Sequence, residues 1–233
     1  MNLKIILLIL SSSASTLAFA AGKSDDPLVT KIAINRLEMR KEGDHTLFFG
    51  SMKGWIGKDY NKASFGLKAK KKEEDTSGEA FLRFRRAVSP FWDLALGAKL
   101  EFNKDENTPW ASFAIIGVLP FFIETEFDLS IREDGLAEIE VEMEQEYLIT
   151  QKIELSPEIE LKAYTKDDEH EGVYAGLAAF EFSLFLKCFF TRQSAIYTGF
   201  SAENKLGKTR TIAKDAGEET SENSVLLGAK TWF

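Results

Sequence analysis

Carboxylates recur at alternate positions through one stretch of this chain: Glu124, Glu126 and Asp128, then Glu138, Glu140, Glu142, Glu144 and Glu146, then Glu154, Glu158 and Glu160, with Ser156 between the first two of that set. A period of two puts each set on one face of an extended strand. In the middle set the other face reads Ile139, Val141, Met143, Tyr147 and Ile149, interrupted by Gln145. If Thr150-Gln151-Lys152 is a turn, Ile149 pairs with Ile153, which sets Glu144 opposite Glu158 and Glu142 opposite Glu160. A register pairing Ile131 with Ile139 adds Glu126 beside Glu144 and Asp128 beside Glu142. The rows Glu126-Glu144-Glu158 and Asp128-Glu142-Glu160 then cross three strands. Like charges so placed destabilise a sheet unless a cation, a basic partner or protonation intervenes. At about 4.8 Å between strands and about 7 Å along one, six carboxylates can converge on one or two ions. Oxygen donors of this kind suit hard or borderline cations such as Ca²⁺, Mg²⁺ or Mn²⁺.

Positioning such rows takes a sheet. From residue 31 onward the chain alternates in twelve segments, about 31–40, 45–56, 62–72, 78–88, 91–103, 110–118, 121–132, 136–149, 153–165, 173–187, 193–205 and 222–233. Most have the ~9–11 residues of a tilted membrane strand. The connections alternate in kind. Tight turns occur at 57–60, 89–90, 119–120, 150–152 and 191–193, and longer or more charged loops at 41–44, 72–78, 103–108, 133–135, 166–172 and 207–222. That asymmetry predicts an all-β fold, a transmembrane antiparallel β-barrel with short periplasmic turns and longer outer loops. Aromatics gather at the short-turn ends, with Trp110, Tyr164 and Tyr174 near the other ends, as two interfacial girdles would require. The final strand, SVLLGAKTWF, alternates Val225, Leu227, Ala229, Thr231 and Phe233 with a mixed face and ends in Trp232 and Phe233. These two are the expected closure residues, since a barrel in lipid can leave no open edge. A soluble β-sandwich also alternates, but an export signal favours the membrane reading.

That signal is residues 1–20: Lys4, the apolar run Ile5 to Leu10, and a cleavage site of the secretory type at Ala18-Phe19-Ala20. The expected mature chain has a short periplasmic segment at 21–30 and a barrel over 31–233, located in the outer membrane. It carries 28 Lys and Arg against 37 acids, which excludes nucleic acid as a natural partner and leaves outer-membrane lipid and metal cations. Cys188 is the only cysteine, so no internal disulfide staples the fold.

Alternation turns Lys68, Lys70, Arg83, Arg85 and Lys99 to the same interior as the acids. Two readings follow: salt bridges that fill the lumen, or an uncompensated acidic wall on the side away from the bases. His45 and His170 sit beside outer loops and are the weaker metal candidates. Met39, Met52 and Met143 read as packing or lipid-facing residues. With no nucleophile and oriented base near one another in the sequence, an enzyme is not expected.

RLEM at 36–39, GWIGKDYN at 54–61, SPFWDLALG at 89–97, PEIELKAYTKDD at 157–168 and the tail GKTRTIAKDAGEETSENSVLLGAKTWF resemble the outer-membrane copper resistance protein B family. In the tail Gly207, Thr209, Ala213, Gly217, Glu218, Gly228, Trp232 and Phe233 take matching places. The resemblance implies an outer-membrane barrel and a role in copper tolerance by binding or passage of metal ions. The alternatives are a rigid barrel docking a periplasmic partner such as a copper oxidase, or a general cation-preferring pore. Family members often carry a Met- and His-rich stretch before the barrel; here Ala21 to Thr30 contain neither residue.

Overall fold

Strands form where the sequence alternates, and each pairs with its sequence neighbour. The computed structural model describes residues 26–233 apart from 44, 74, 105, 170 and 171. The expected leader and His170 therefore lie outside the described residues, as does most of the segment 21–30. The strands are β1 (Val29–Glu42), β2 (His45–Gly57), β3 (Asn61–Lys72), β4 (Asp75–Ser89), β5 (Trp92–Phe102), β6 (Asn107–Leu119), β7 (Ile123–Arg132), β8 (Ala137–Glu144), β9 (Tyr147–Leu148), β10 (Ile153–Tyr164), β11 (Gly176–Phe189), β12 (Ser194–Lys205) and β13 (Ser221–Trp232). β8 and β9 are two pieces of one stave, since both pair with β10. Twelve antiparallel staves result, as the alternation predicts. β13 pairs with β1 to close the ring.

The closing hydrogen bonds lie at the chain end. Phe233 N–H donates to the Ile32 carbonyl at 2.8 Å, and Ile32 N–H donates to the Phe233 carbonyl at 3.1 Å. Outside, Leu37, Phe84, Leu96 and Leu227 are exposed, the arrangement of a barrel whose solvent is lipid. Inside, serines and charged residues are buried.

β1 departs from simple alternation. Its pairing with β2 shifts between Ile34 and Arg36, and its pairing with β13 shifts between Ile34 and Leu37. The extra residue, Asn35, makes a β-bulge that resets which side chains face in. Beyond it Arg36, Glu38 and Arg40 point into the lumen while Leu37 and Met39 point out.

The aromatic girdle holds at the short-turn end, where Phe91, Phe121, Phe122, Phe190 and Phe233 are exposed. At the other end it needs correction. Trp110 is buried under Lys99 and Arg132, and the Tyr164 hydroxyl donates to Glu138 at 2.7 Å, so both rings face the lumen. Two connections read as longer or more charged are tight turns, because β1 ends at Glu42 and β2 resumes at His45, while β3 ends at Lys72 and β4 resumes at Asp75.

The stretch 207–222, read from sequence as one of the longer or more charged loops, contains helix α1 (Gly207–Asp215). Its end is a Schellman motif: Glu218 N–H donates to the Ala213 carbonyl at 2.9 Å and Gly217 N–H to the Lys214 carbonyl at 3.1 Å. Gly217 has φ of 77°, the left-handed value this motif needs. Thr209 and Ala213 form the buried face of α1. Thr209 Oγ1 accepts the Tyr174 N–H at 3.3 Å, tying α1 to the loop between β10 and β11.

Deleting Trp232 and Phe233 removes both Ile32–Phe233 hydrogen bonds and leaves part of the β1 edge unpaired in lipid. The shortened chain should fail to give the heat-sensitive, fast-migrating band of a folded barrel on electrophoresis. Wild-type insertion of that chain would contradict the closing role.

Candidate functional site

The acidic face exists, in a register that differs by one side-chain pair from the expected one. β8 and β10 pair as predicted, Glu144 with Glu158 and Glu142 with Glu160. Between β7 and β8, however, Ile131 pairs with Ala137 rather than Ile139. The cause is the tight turn at 133–136. Arg132 N–H donates to the Leu136 carbonyl at 2.9 Å, Asp134 Oδ1 accepts the Leu136 N–H at 3.0 Å, and Gly135 takes φ of 78°. The rows are therefore Glu124-Glu144-Glu158, Glu126-Glu142-Glu160 and Asp128-Glu140-Lys162. Carboxylate oxygens of Glu140, Glu142 and Glu160 lie within 4.8 Å of one another.

Long basic side chains cross the lumen to these rows. Lys53 of β2 donates to Glu126 at 2.9 Å and lies 3.6 Å from Glu142, on the stave diametrically opposite. Lys68 of β3 reaches Glu140 at 3.1 Å and Glu142 at 3.5 Å. Arg83 of β4 donates to Glu126 at 2.8 Å, to Ser112 at 2.8 Å and to Asp128. Lys99 of β5 donates to Glu138 at 2.5 Å. From the other side Arg36 reaches Glu158, and Lys187 reaches Glu144 at 2.8 Å and Glu154 at 2.9 Å. Lys162 lies 3.1 Å from Glu160. Each of the six acids expected to form the wall thus has a cation partner. Separation by several strands along the sheet does not separate charges across a lumen this narrow.

Neutralisation is uneven around the ring. Between β2 and β8 the ion pairs leave a residual cavity of only about 20 Å³, room for roughly one water. Toward β1 and β10 to β13, which supply much of its lining, a cavity of about 820 Å³ remains, bordered also by Lys53, Lys68 and Glu142. Its lining runs from Arg192 and Trp232 at the short-turn end to Asn103 and Glu203 at the loop end. Glu124 and Glu203 line it without an ion-pair partner among the described residues. Arg36 stands at its centre, stacked over Phe185 with its guanidinium carbon 4.7 Å from the ring centroid. Tyr197 packs edge-on against Phe185 and donates to Glu38 at 2.9 Å.

The donor chemistry of this lumen is oxygen. By strand alternation Met39, Met52, Met143 and Cys188 point outward, away from the inward Glu38, Ser51, Glu142 and Lys187. His45 is exposed at the start of β2, its Nδ1 3.0 Å from Glu73. It lies apart from the acidic rows. Of the interior residues, sequence reading passed over Arg36, Lys53 and Lys187. Alternation carries the signal for Lys53 and Lys187, whereas Arg36 is turned inward only by the β1 bulge.

At the loop end, outside the membrane-spanning strands, charges pair on the surface. Arg132 donates to Asp134 at 2.8 Å and to Asp168 at 2.5 Å, and Lys208 of α1 donates to Asp167. The Arg132 hydrogen bonds hold the Asp134 carboxyl well below its usual range, and the Lys208 hydrogen bond lowers that of Asp167. A depressed carboxylate contributes stability above its unfolded pKa and loses it as pH falls through the folded value, so these links persist through mild acid.

The fold is shared with outer-membrane porins. The KdgM porin superposes with a TM-score of 0.55 at 9% identity, covering 85% of this chain and 98% of that one. The NanC porin gives 0.54 at 14% identity, covering 87% and 99%. At such identities the likeness is one of fold alone. In sequence, the copper resistance protein B of Escherichia coli is 30% identical over 203 residues, 87% of this chain and 69% of that protein. A copper resistance protein B homolog of Pseudomonas syringae pv. tomato is 28% identical over 212 residues, 90% of this chain and 71% of that protein. The family model described as copper resistance protein B precursor matches residues 28–233, the whole barrel. The chain is therefore a member of the copper resistance protein B family of outer-membrane barrels.

Proposed function

We propose that this barrel serves copper resistance by letting metal ions bind to, and pass along, the open side of its lumen, where acids, in slight excess over bases and including the face of β7, β8 and β10, draw cations in. The observation that carries the reading is the cavity of about 820 Å³ whose lining reaches both ends of the barrel. Its oxygen donors suit Cu(II) and harder divalent ions better than Cu(I), which prefers sulfur. Weak, multiple sites favour passage, because an ion must be able to leave as well as enter. Glu126, Asp128, Glu142, Glu144, Glu158 and Glu160 act here as a field-setting wall held in place by Lys53, Lys68, Arg83, Lys187, Arg36 and Lys162. His45, at the start of β2, and His170 remain candidate ligands.

A second reading, a rigid barrel docking a periplasmic copper-handling partner such as a copper oxidase, draws support from the filled side of the lumen. Conductance separates the two. Purified protein in a planar bilayer should carry current with a cation preference. The variant Glu142→Gln, Glu144→Gln, Glu158→Gln, Glu160→Gln leaves Lys53, Lys187 and Arg36 undercompensated and should shift the preference toward anions. Glu124→Gln with Glu203→Gln removes two unpaired carboxylates without orphaning a cation, so it should fold normally and lower the cation preference. No current from the wild-type protein would favour the docking reading.

Arg83 tests the filled side separately. Its side chain is 3% exposed and donates to Glu126, Asp128 and Ser112. Arg83→Gln leaves the buried Asp128 without its ion-pair partner, while Glu126 keeps Lys53, and should cost on the order of 3–5 kcal/mol in urea unfolding, with little change in conductance. An unchanged unfolding midpoint would remove Arg83 from the structural account.

In cells, deletion of this chain and of related barrels should lower the copper concentration that stops growth. Unchanged growth and unchanged cellular copper would leave the barrel a structural role only.

A further inference from the structure

The lipid-facing surface carries a site that passage of ions does not use. Across β12, β13, β1, β2 and β3, from the short-turn half of β12 to the loop end of β3, an apolar groove of about 650 Å³ indents the outer wall. Its floor includes Gly50 and Ala229, and its walls include the outward side chains of Leu37, Phe48 and Leu227. All three walls are exposed, Phe48 at 58% and Leu227 at 59%. The groove exists because small residues lie next to large ones in the register: Gly50 pairs with Leu37, and Leu37 with Ala229. A Cβ added at Gly50 would meet nothing closer than a Leu37 methyl at 3.9 Å.

At the loop-end rim stand two outward lysines. Lys71 lines the groove opposite Phe48, and Lys41 lies one outward position above Met39 on β1. Both are exposed, and neither has an ion-pair partner among the described residues. One strand separates them, which puts them on the order of 10 Å apart. Most bases inside the barrel are matched to acids, whereas these two outer-wall lysines lack an ion-pair partner among the described residues. A lysine at that height can extend its ammonium to the headgroup layer while its stem covers apolar surface.

We propose that this groove binds a phosphorylated glycolipid of the outer leaflet, with an acyl chain lying along Gly50 and Ala229 and phosphate held by Lys41 and Lys71. Charge complementarity selects this occupant. A second copy of the chain presenting the same face would bring like charges together, since a two-fold interface meets its own lysines.

Native mass spectrometry of the purified, delipidated barrel tests this, using diphosphoryl lipid A as probe and phosphatidylcholine as the zwitterionic control. Wild-type protein should retain the phosphorylated lipid preferentially. Lys41→Gln with Lys71→Gln keeps the groove and removes the charge. At roughly fivefold per lysine near a charged lipid surface, retention should fall at least tenfold, to the level of the control. Gly50→Leu fills the groove and should lower retention of both lipids. The folded band on electrophoresis checks that each variant has assembled. Equal retention by wild type and by both folded variants would overturn the proposal. So would a wild-type dimer that Gly50→Leu converts to monomer without changing lipid retention, because the occupant would then be a second copy.

Discussion

In hydrocarbon there is no water to satisfy a backbone N–H or carbonyl, so a chain that crosses as strands must pair every one of them with another strand. The ring of this protein meets that demand only when Phe233 pairs with Ile32. Closure then fixes the rest. Twelve staves set a narrow lumen, and a side-chain period of two sends half of each strand into it. The β1 bulge resets that sorting within a strand, and it lets Arg36 enter while Leu37 and Met39 stay in lipid.

Charge in the lumen is the second-order consequence. Rows of carboxylates on adjacent strands repel one another, and the sheet tolerates them because lysines and arginines from the opposite wall lie within reach. Acids come mainly from β7, β8 and β10, and many of the bases from β1 to β5. Neither set would be stable inside without the other. Such pairs add little net stability over an apolar filling, but loss of one partner is costly. Their physical effect is therefore to fix geometry: Lys53 and Lys68 span the lumen and hold its β2-to-β8 side shut.

Most of this fold was legible in the sequence because alternation is a local signal. All twelve staves fall close to the alternating segments, and the β8–β10 register follows from a three-residue turn. What local reading missed depends on geometry that alternation does not encode. The β7–β8 register turned on the hydrogen bonds of Asp134 and the positive φ of Gly135. The inward turn of Trp110 and Tyr164 depended on parity that aromatic counting ignores. Helix α1 did leave a trace, since Gly217 follows Lys214 as a C-terminal signal should, but nine residues between strands in a polar loop gave little periodicity. Compensation of the acidic face was invisible because distance along the sheet is a poor guide to distance across a closed ring.

The uneven filling of the lumen decides what kind of metal handling such a barrel can offer. A tight cation trap needs several unopposed donors converging on one point, whereas Glu140, Glu142 and Glu160 are already met by Lys53, Lys68 and Lys162. The open side is different. Ten basic and eleven acidic side chains line it, so its field is nearly balanced, with Glu124 and Glu203 among the acids lacking an ion-pair partner among the described residues. On the proposed reading, an ion entering there would exchange partners with ammonium groups instead of displacing water from a vacant cage. Each site would then be shallow, and shallow sites in series permit movement where one deep site would hold the ion.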